Sequence, residues 1–204
     1  MFEVFLFINP IGIYCYDTEN LIKKTIDDLN VDVCFHYIPL VNSEVIKSDI
    51  IRRTKDGQNI SNISKYTIAA YQSLKYYHAI KLNYGNKKAR SFLFQLQKAI
   101  NRNFAVYTPA LPIKIAKELK LDSKSITSYQ DTNYIFDSIN EDKMLAKKYD
   151  IKHIPTTIIF NESDTYNGIL LEGRVAYNNL LQLFKNENGC RFGKLNPSPG
   201  LRLI

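Results

Sequence analysis

Cysteine and histidine are scarce in this chain, with three of each in 204 residues. Cys15, Cys34 and Cys190 are an odd, sparse set, which excludes the disulfide framework of a small secreted domain. Cys34 and His36 stand two apart on an expected strand, and they read as core or half-core packing. His78 and His153 have no cysteine nearby. No Cys/His pair has zinc-ligand spacing, so no metal site is expected. No apolar run approaches the ~20 residues that span a bilayer. The opening "MFEVFLFINP" offers an acid where a secretory leader would be basic, and Pro10 and Gly12 end its apolar run. The chain therefore reads as cytoplasmic, without a membrane anchor. It has no glycine-rich phosphate loop, no Ser/His/Asp constellation and no His-Glu-x-x-His, so no cofactor is expected. Internal repeats and low-complexity segments are missing too.

What is there is an ordinary globular composition, 45% hydrophobic and 23% charged. A chain of this length buries a full core without staples. The net charge of +7 is unevenly placed. Residues 60–125 hold twelve Lys/Arg against Glu118 and Asp122, or +10, which leaves −3 for the remainder. Such a block suits an acidic partner or a solvated helical face. Tyr71, Tyr76, Tyr77, Tyr84, Phe92, Phe94 and Tyr107 are interleaved with its cations. Aromatics at helical spacing are more often core than a base-stacking surface, and no nucleic-acid motif accompanies them, so no nucleic acid is expected.

Along the chain, "EVFLFI" is a near-continuous apolar run, as in a buried strand. From Cys15 to Leu29 the apolar positions Leu21, Ile22, Ile26 and Leu29 recur at helical spacing. "VDVCFHYIPL" alternates and ends at Pro39, which reads as a second strand. Strand, helix and strand with this crossover length predict a parallel βαβ unit. Residues 43–60 are polar and weakly patterned, with a turn at "KDGQN". Two helices follow, broken at Gly85. The first carries Ile63, Thr67, Ala70, Leu74 and Tyr77 as a stripe, and the second turns Ala89, Leu93, Leu96 and Ile100 inward. "LPIKIAKELK" predicts a short helix with Pro112 near its first turn, ended by "DSKSIT". A longer helix over "TNYIFDSINEDKMLAKKYD" has Ile135, Ile139, Leu145 and Ala146 as core candidates. "HIPTTIIF" and "GILLEGR" form a hairpin, and "AYNNLLQLFKNEN" a closing helix. The Gly/Pro-rich tail is expected to hug the surface or move. The expected organisation is α/β. Residues 1–42 and 129–190 are the halves of one mixed sheet domain, 43–128 a helical insertion, and 191–204 a tail.

This order resembles the DsbA-like branch of the thioredoxin superfamily. The turn "NPIGIYC" lies where that superfamily carries Cys-x-x-Cys, and "HIPTTIIF" is similar to its proline loop, whose X–Pro bond is cis. The base rate of cis X–Pro bonds alone, ~5–6%, favours trans, so the cis expectation rests on the resemblance. Within that branch, "FLFINP", "YCYDTE", "FHYIPLVN" and "NKKARSFLFQLQKAI" resemble the Spx-degradation adaptors of Firmicutes, the YjbH or SpxH family. That likeness implies a cytoplasmic adaptor that binds an Spx-type transcription regulator and promotes its degradation by the ClpXP protease, itself engaged only indirectly. Two departures stand out. The His- and Cys-rich extension of some members does not precede strand one, and Gly12 replaces the first thiol.

A thioredoxin-type dithiol needs an exposed sulfur at a helix amino-terminus and a second three positions on. Gly12 offers no nucleophile, so Cys15 has no sequence partner. Inert packing, a monothiol role such as glutathionylation, and a thiol-disulfide or glutathione-dependent oxidoreductase using Cys15 all stay open. A groove is expected to survive the loss of chemistry. Gly12, Ile13, Tyr14 and Cys15 would form one wall, and Ile154, Pro155 and Thr156 the other. Tyr14 and Tyr16 would add aromatic surface for protein recognition, or pack beside the first helix.

Overall fold

The computed structural model describes residues 1–161, 168–185 and 201–204. The apolar run at the start forms β1 (Phe2–Ile8), and α1 (Cys15–Leu29) and β2 (Val33–Pro39) complete the expected unit. β1 and β2 are parallel and in register from Phe2 opposite Val33 to Ile8 opposite Pro39. β3 (Thr156–Asn161) pairs antiparallel with the other edge of β1, and β4 (Gly168–Glu172) antiparallel with β3. A short β5 (Leu201–Leu203) adds to β4, giving a mixed five-stranded sheet in the order β2-β1-β3-β4-β5. The end of the tail, expected to hug the surface or move, is a strand; the rest of that tail and Cys190 lie outside the described residues.

Between the two halves run α2 (Ser43–Lys55), α3 (Ile63–Asn101), α4 (Ala110–Glu118), α5 (Ser123–Tyr129) and α6 (Asn133–Lys148), and α7 (Tyr177–Lys185) closes the second half. Gly85, at φ 80°, breaks α3 into two helical stretches where the sequence placed a break. Only glycine holds that conformation without strain. α2 and α5 are helices that apolar periodicity hides. α2 is capped by Asn42, whose Oδ1 accepts from the N–H of Val45 at 2.8 Å, and α5 by Asp122, which accepts from Lys124 N–H at 3.0 Å. Such caps each contribute about 1 kcal/mol.

Alternation along β1 sorts the core into two layers. Phe2 meets Phe184 of α7 edge-on at 5.1 Å, while Phe5 and Phe7 face Tyr149, just past α6. The inner stripe of the first part of α3 is Tyr66, Ala69, Ala70, Ser73, Leu74 and Tyr77. Ile63, expected inward, is exposed because the stripe begins three residues later. Ile135, Ile139 and Ala146 of α6 are buried and Leu145 is half-buried. Cys34 and His36 do not pack in the core. β2 is the outer strand of the sheet, so this face is uncovered at its edge; Cys34 is exposed and His36 half-exposed.

Candidate functional site

The turn between β1 and α1 is built from its own backbone and from two inserted helices. Asn9 accepts from the N–H of Gly12 through its carbonyl at 3.0 Å and from Ile11 N–H through Oδ1 at 3.2 Å. Its own N–H donates to Cys15 Sγ at 3.4 Å. From α2, Asp49 Oδ1 accepts the N–H of Ile13 at 3.0 Å. Arg53 donates to the Ile11 carbonyl at 2.6 Å, to Asn101 Oδ1 at 2.7 Å and, through Nε, to Asp49 Oδ2 at 2.8 Å. From the two ends of α3, Asn101 donates to the Gly12 carbonyl at 3.0 Å and Gln97 to the Asn9 carbonyl at 3.2 Å, while the Tyr66 hydroxyl donates to Asp49. Asn9, Asp49, Arg53, Tyr66, Gln97 and Asn101 are all buried. Burial, and then the Asp49 charge, push the Tyr66 hydroxyl up, so it remains a donor. A buried ion pair is tolerated only when its remaining hydrogen-bonding capacity is met, and here each arm of Arg53 ends on an acceptor.

Across from the turn, the Ile154–Pro155 bond is cis, in line with the resemblance. The Ile154 carbonyl, which an extended peptide would need, accepts from Nη1 of Arg52. An inserted helix therefore ties both sides of the site: Asp49 and Arg53 hold the turn, and Arg52 of the same α2 holds the proline loop.

These features coincide with a likeness to known sequences. The thioredoxin family profile matches residues 5–182. The chain belongs to the thioredoxin family. Among solved structures it is similar to a thioredoxin-like oxidoreductase from Silicibacter pomeroyi, with 14% identity over 91% of this chain and 85% of that one and a TM-score of 0.60. The thiol-disulfide exchange protein alpha-DsbA2 from Wolbachia pipientis matches at 15% identity, 87% and 76% coverage and a TM-score of 0.57. Oxidoreductase DsbA from Xylella fastidiosa matches at 12% identity, 90% and 82% coverage and a TM-score of 0.59. At such identities the likeness shows the fold alone, a DsbA-type mixed sheet with a helical insertion. Among curated proteins there is no match.

Within this thioredoxin-family turn, the residues expected to line a groove are buried, Tyr14 excepted. Gly12, Ile13, Cys15, Ile154, Pro155 and Thr156 lie on the two sides anticipated, and Arg52 of α2 reaches both, bonding the Ile154 carbonyl and lying over the Tyr14 ring. Tyr14 is half-buried; its hydroxyl donates to Asp56 at 3.0 Å, and the guanidiniums of Arg174 and Arg52 lie 4.5 and 5.7 Å from its ring centre. Tyr16 is buried against Phe94 at 4.9 Å, so it is packing and adds no recognition surface. Cys15 is 2% exposed. Burial, and after it the Asp49 charge, push its thiol far up from the ordinary range. It stays protonated, as an acceptor inside the turn, and is not poised to attack a disulfide.

Sequence reasoning missed Asp49, Arg52 and Arg53. Their signal was the spacing Val45, Asp49, Arg53, one face of a helix whose inward side is charged. A second buried polar pair lies further along α3. His78 accepts or shares a hydrogen bond with Ser138 at 2.8 Å, and its Nε2 is 3.5 Å from Asp142 Oδ2. Burial, then Lys81, lowers His78 to about 3. Burial raises Asp142 to about 7, against the opposing pull of Lys81. Among the described residues no group of three or more His, Cys, Asp and Glu is placed to hold a metal, and no helix is long and apolar enough to cross a membrane.

Proposed function

We propose that the protein is a cytoplasmic adaptor that binds an Spx-type transcription regulator and promotes its degradation by ClpXP. The observation that carries this reading is the state of the redox turn. Gly12 supplies no sulfur, and Cys15 is sealed behind Asn9 and Asp49. A thioredoxin-family scaffold that keeps its turn and its proline loop, yet clamps both from α2, is suited to presenting a rigid surface. The resemblance of "FLFINP", "FHYIPLVN" and "NKKARSFLFQLQKAI" to the Spx-degradation adaptors supplies the client. The mechanism is tethering or exposure of the client's degradation signal, without a covalent step. A client that is a transcription regulator places the protein with it in the cytoplasm.

The test is a reconstituted degradation assay with purified protein, an Spx-type regulator and ClpXP. The expected result is direct binding of the regulator and a faster loss of it, the same with and without a reductant. Neither binding nor acceleration would overturn the reading. An acceleration that requires oxidising conditions would replace tethering with thiol chemistry.

A further inference from the structure

Large apolar side chains stay exposed where α2 and the start of α3 run side by side. Ile51 of α2 is 47% exposed, and Ile63, Ile68 and Tyr71 of α3 are 58%, 55% and 43% exposed. Ile63, Thr67 and Tyr71 follow at four-residue steps, which puts them on one face of their helix. Ile46, Ile50 and Ile51 of α2 form the other wall of an open trough of about 450 Å³. Asp49 and Arg53, on a different side of α2, hold the redox turn, so the trough is no part of that site.

The trough is polar at one end only. Among the described residues Lys47 is the one charged side chain that lines it, and Asn42 and Ser43, where α2 begins, lie at the same end. The free N–H groups of a helix's first turn add a partial positive charge there. Glu44 is exposed in that turn but does not line the trough. The rest of the lining is aliphatic and aromatic, with Thr67 between.

A small-molecule pocket encloses most of its ligand. This trough lies open along its length, and Ile51, Ile63 and Tyr71 on its rim keep two-fifths or more of their surface, so it suits an elongated occupant. From Asn42 to Ile51, α2 runs about 14 Å, the length of two to three helical turns. An amphipathic helix laid with its apolar face between two helices is a recurrent mode of recognition. We propose that this trough docks an amphipathic helix of a partner protein. The helix sets aliphatic side chains against the isoleucines and an aspartate or glutamate against Lys47 and the start of α2. The occupant is defined by this chemistry alone, so the inference stands apart from the adaptor reading.

The test uses the full-length protein and three fluorescent peptides of roughly 15 residues, about the length at which an isolated helix begins to hold. One has a leucine face and glutamates elsewhere, and the second has the same face with lysines. The third has the composition of the first with the leucines scattered around the helix. Fluorescence anisotropy is expected to show saturable binding of the first, at least tenfold tighter than of the other two. Ile51→Glu and Ile63→Glu place a charge in the trough from exposed positions, and each is expected to weaken it about tenfold or more. Lys47→Glu is expected to reduce the preference for the acidic over the basic peptide about fivefold, while the same reversal at exposed Lys117 of α4 leaves it unchanged. Circular dichroism checks that each variant is folded. No saturable binding of the acidic peptide, or binding that neither isoleucine variant weakens, would overturn the proposal. So would a dimer of the free protein, seen by sedimentation, that either isoleucine variant dissolves, since the trough would then be covered by a second copy.

Discussion

Gly12 occupies the position of the missing sulfur, and its surroundings still hold the shape of a disulfide. A Cβ built there lies 2.8 Å from Cys15 Sγ, 2.9 Å from Asn9 Cβ and 3.3 Å from Asp49 Oδ1. Within a bonded cystine, each Cβ stands about 3 Å from the partner sulfur, so the first contact is close to a bonding distance. The other two are crowding. The Gly12→Cys variant is therefore expected to close a disulfide onto Cys15 when oxidised and to lose stability when reduced. Thiol counting before and after a mild oxidant checks it; two free thiols persisting at these positions would contradict it. A second residue-scale expectation concerns Asp142. Its carboxyl titrates near 3.8 when unfolded and at about 7 when folded. The folded state holds the proton more tightly, so this group's stabilising contribution is full below pH 3.8 and is lost as pH rises through about 7. Removing the carboxyl in Asp142→Asn deletes that loss. The variant's stability relative to the parent protein should therefore rise between about pH 4 and 7, by on the order of 2 kcal/mol. Urea unfolding at the two ends of the range measures it, and a difference independent of pH would contradict it.

At the scale of elements, α2 decides what the turn can do. Its inward side is Val45, Ile46, Asp49 and Arg53, half apolar and half charged. Truncating one partner of a buried ion pair leaves the other uncompensated, so Asp49→Ala or Arg53→Ala is expected to cost about 3–5 kcal/mol. The double variant should cost clearly less than the sum of the two, since each single change already breaks the pair. Denaturant midpoints give both numbers, and additive costs would mean that the two side chains act separately. This helix is also where the sequence was least legible. β1, β2, β4 and α7 could be read because their buried positions are apolar and follow the strand or helix period, and α1 and β3 because their apolar residues keep that period although Thr18, Glu19, Thr25, Thr156 and Thr157 are buried beside them. In α2 the buried positions include a carboxylate and a guanidinium, which read as surface. Cys34 was misread for the converse reason: alternation gives the face of a strand, but not whether that strand lies at the edge of the sheet. β5 lies at the end of a Gly/Pro-rich segment, and three residues show no periodicity. The cis bond before Pro155 was legible only through the resemblance.

At the scale of the whole molecule, the charge asymmetry of the sequence has a structural use. Of the twelve cations in residues 60–125, Arg90 reaches Glu19, Arg102 reaches Asp17, Lys75 reaches Asp131 and Lys81 approaches Asp142. All four acids belong to the remainder of the chain, two of them on α1. The positive block thus partly seats the insertion against α1, α6 and the turn before α6. Arg90 also lies over Phe35 and Tyr37, at 4.4 and 4.7 Å from their ring centres. Clamping from the insertion and burial from the sheet together enclose Cys15, so its exposure requires the fold to open rather than a side chain to turn. The decisive measurement is the rate at which a small thiol reagent labels Cys15 in native buffer and across a denaturant series, with Cys34 as the internal reference. A locked turn predicts that Cys34 reacts at once, while Cys15 reacts only in proportion to the unfolded fraction. Labelling of Cys15 in native buffer at a rate near that of Cys34 would show an open redox turn and contradict it.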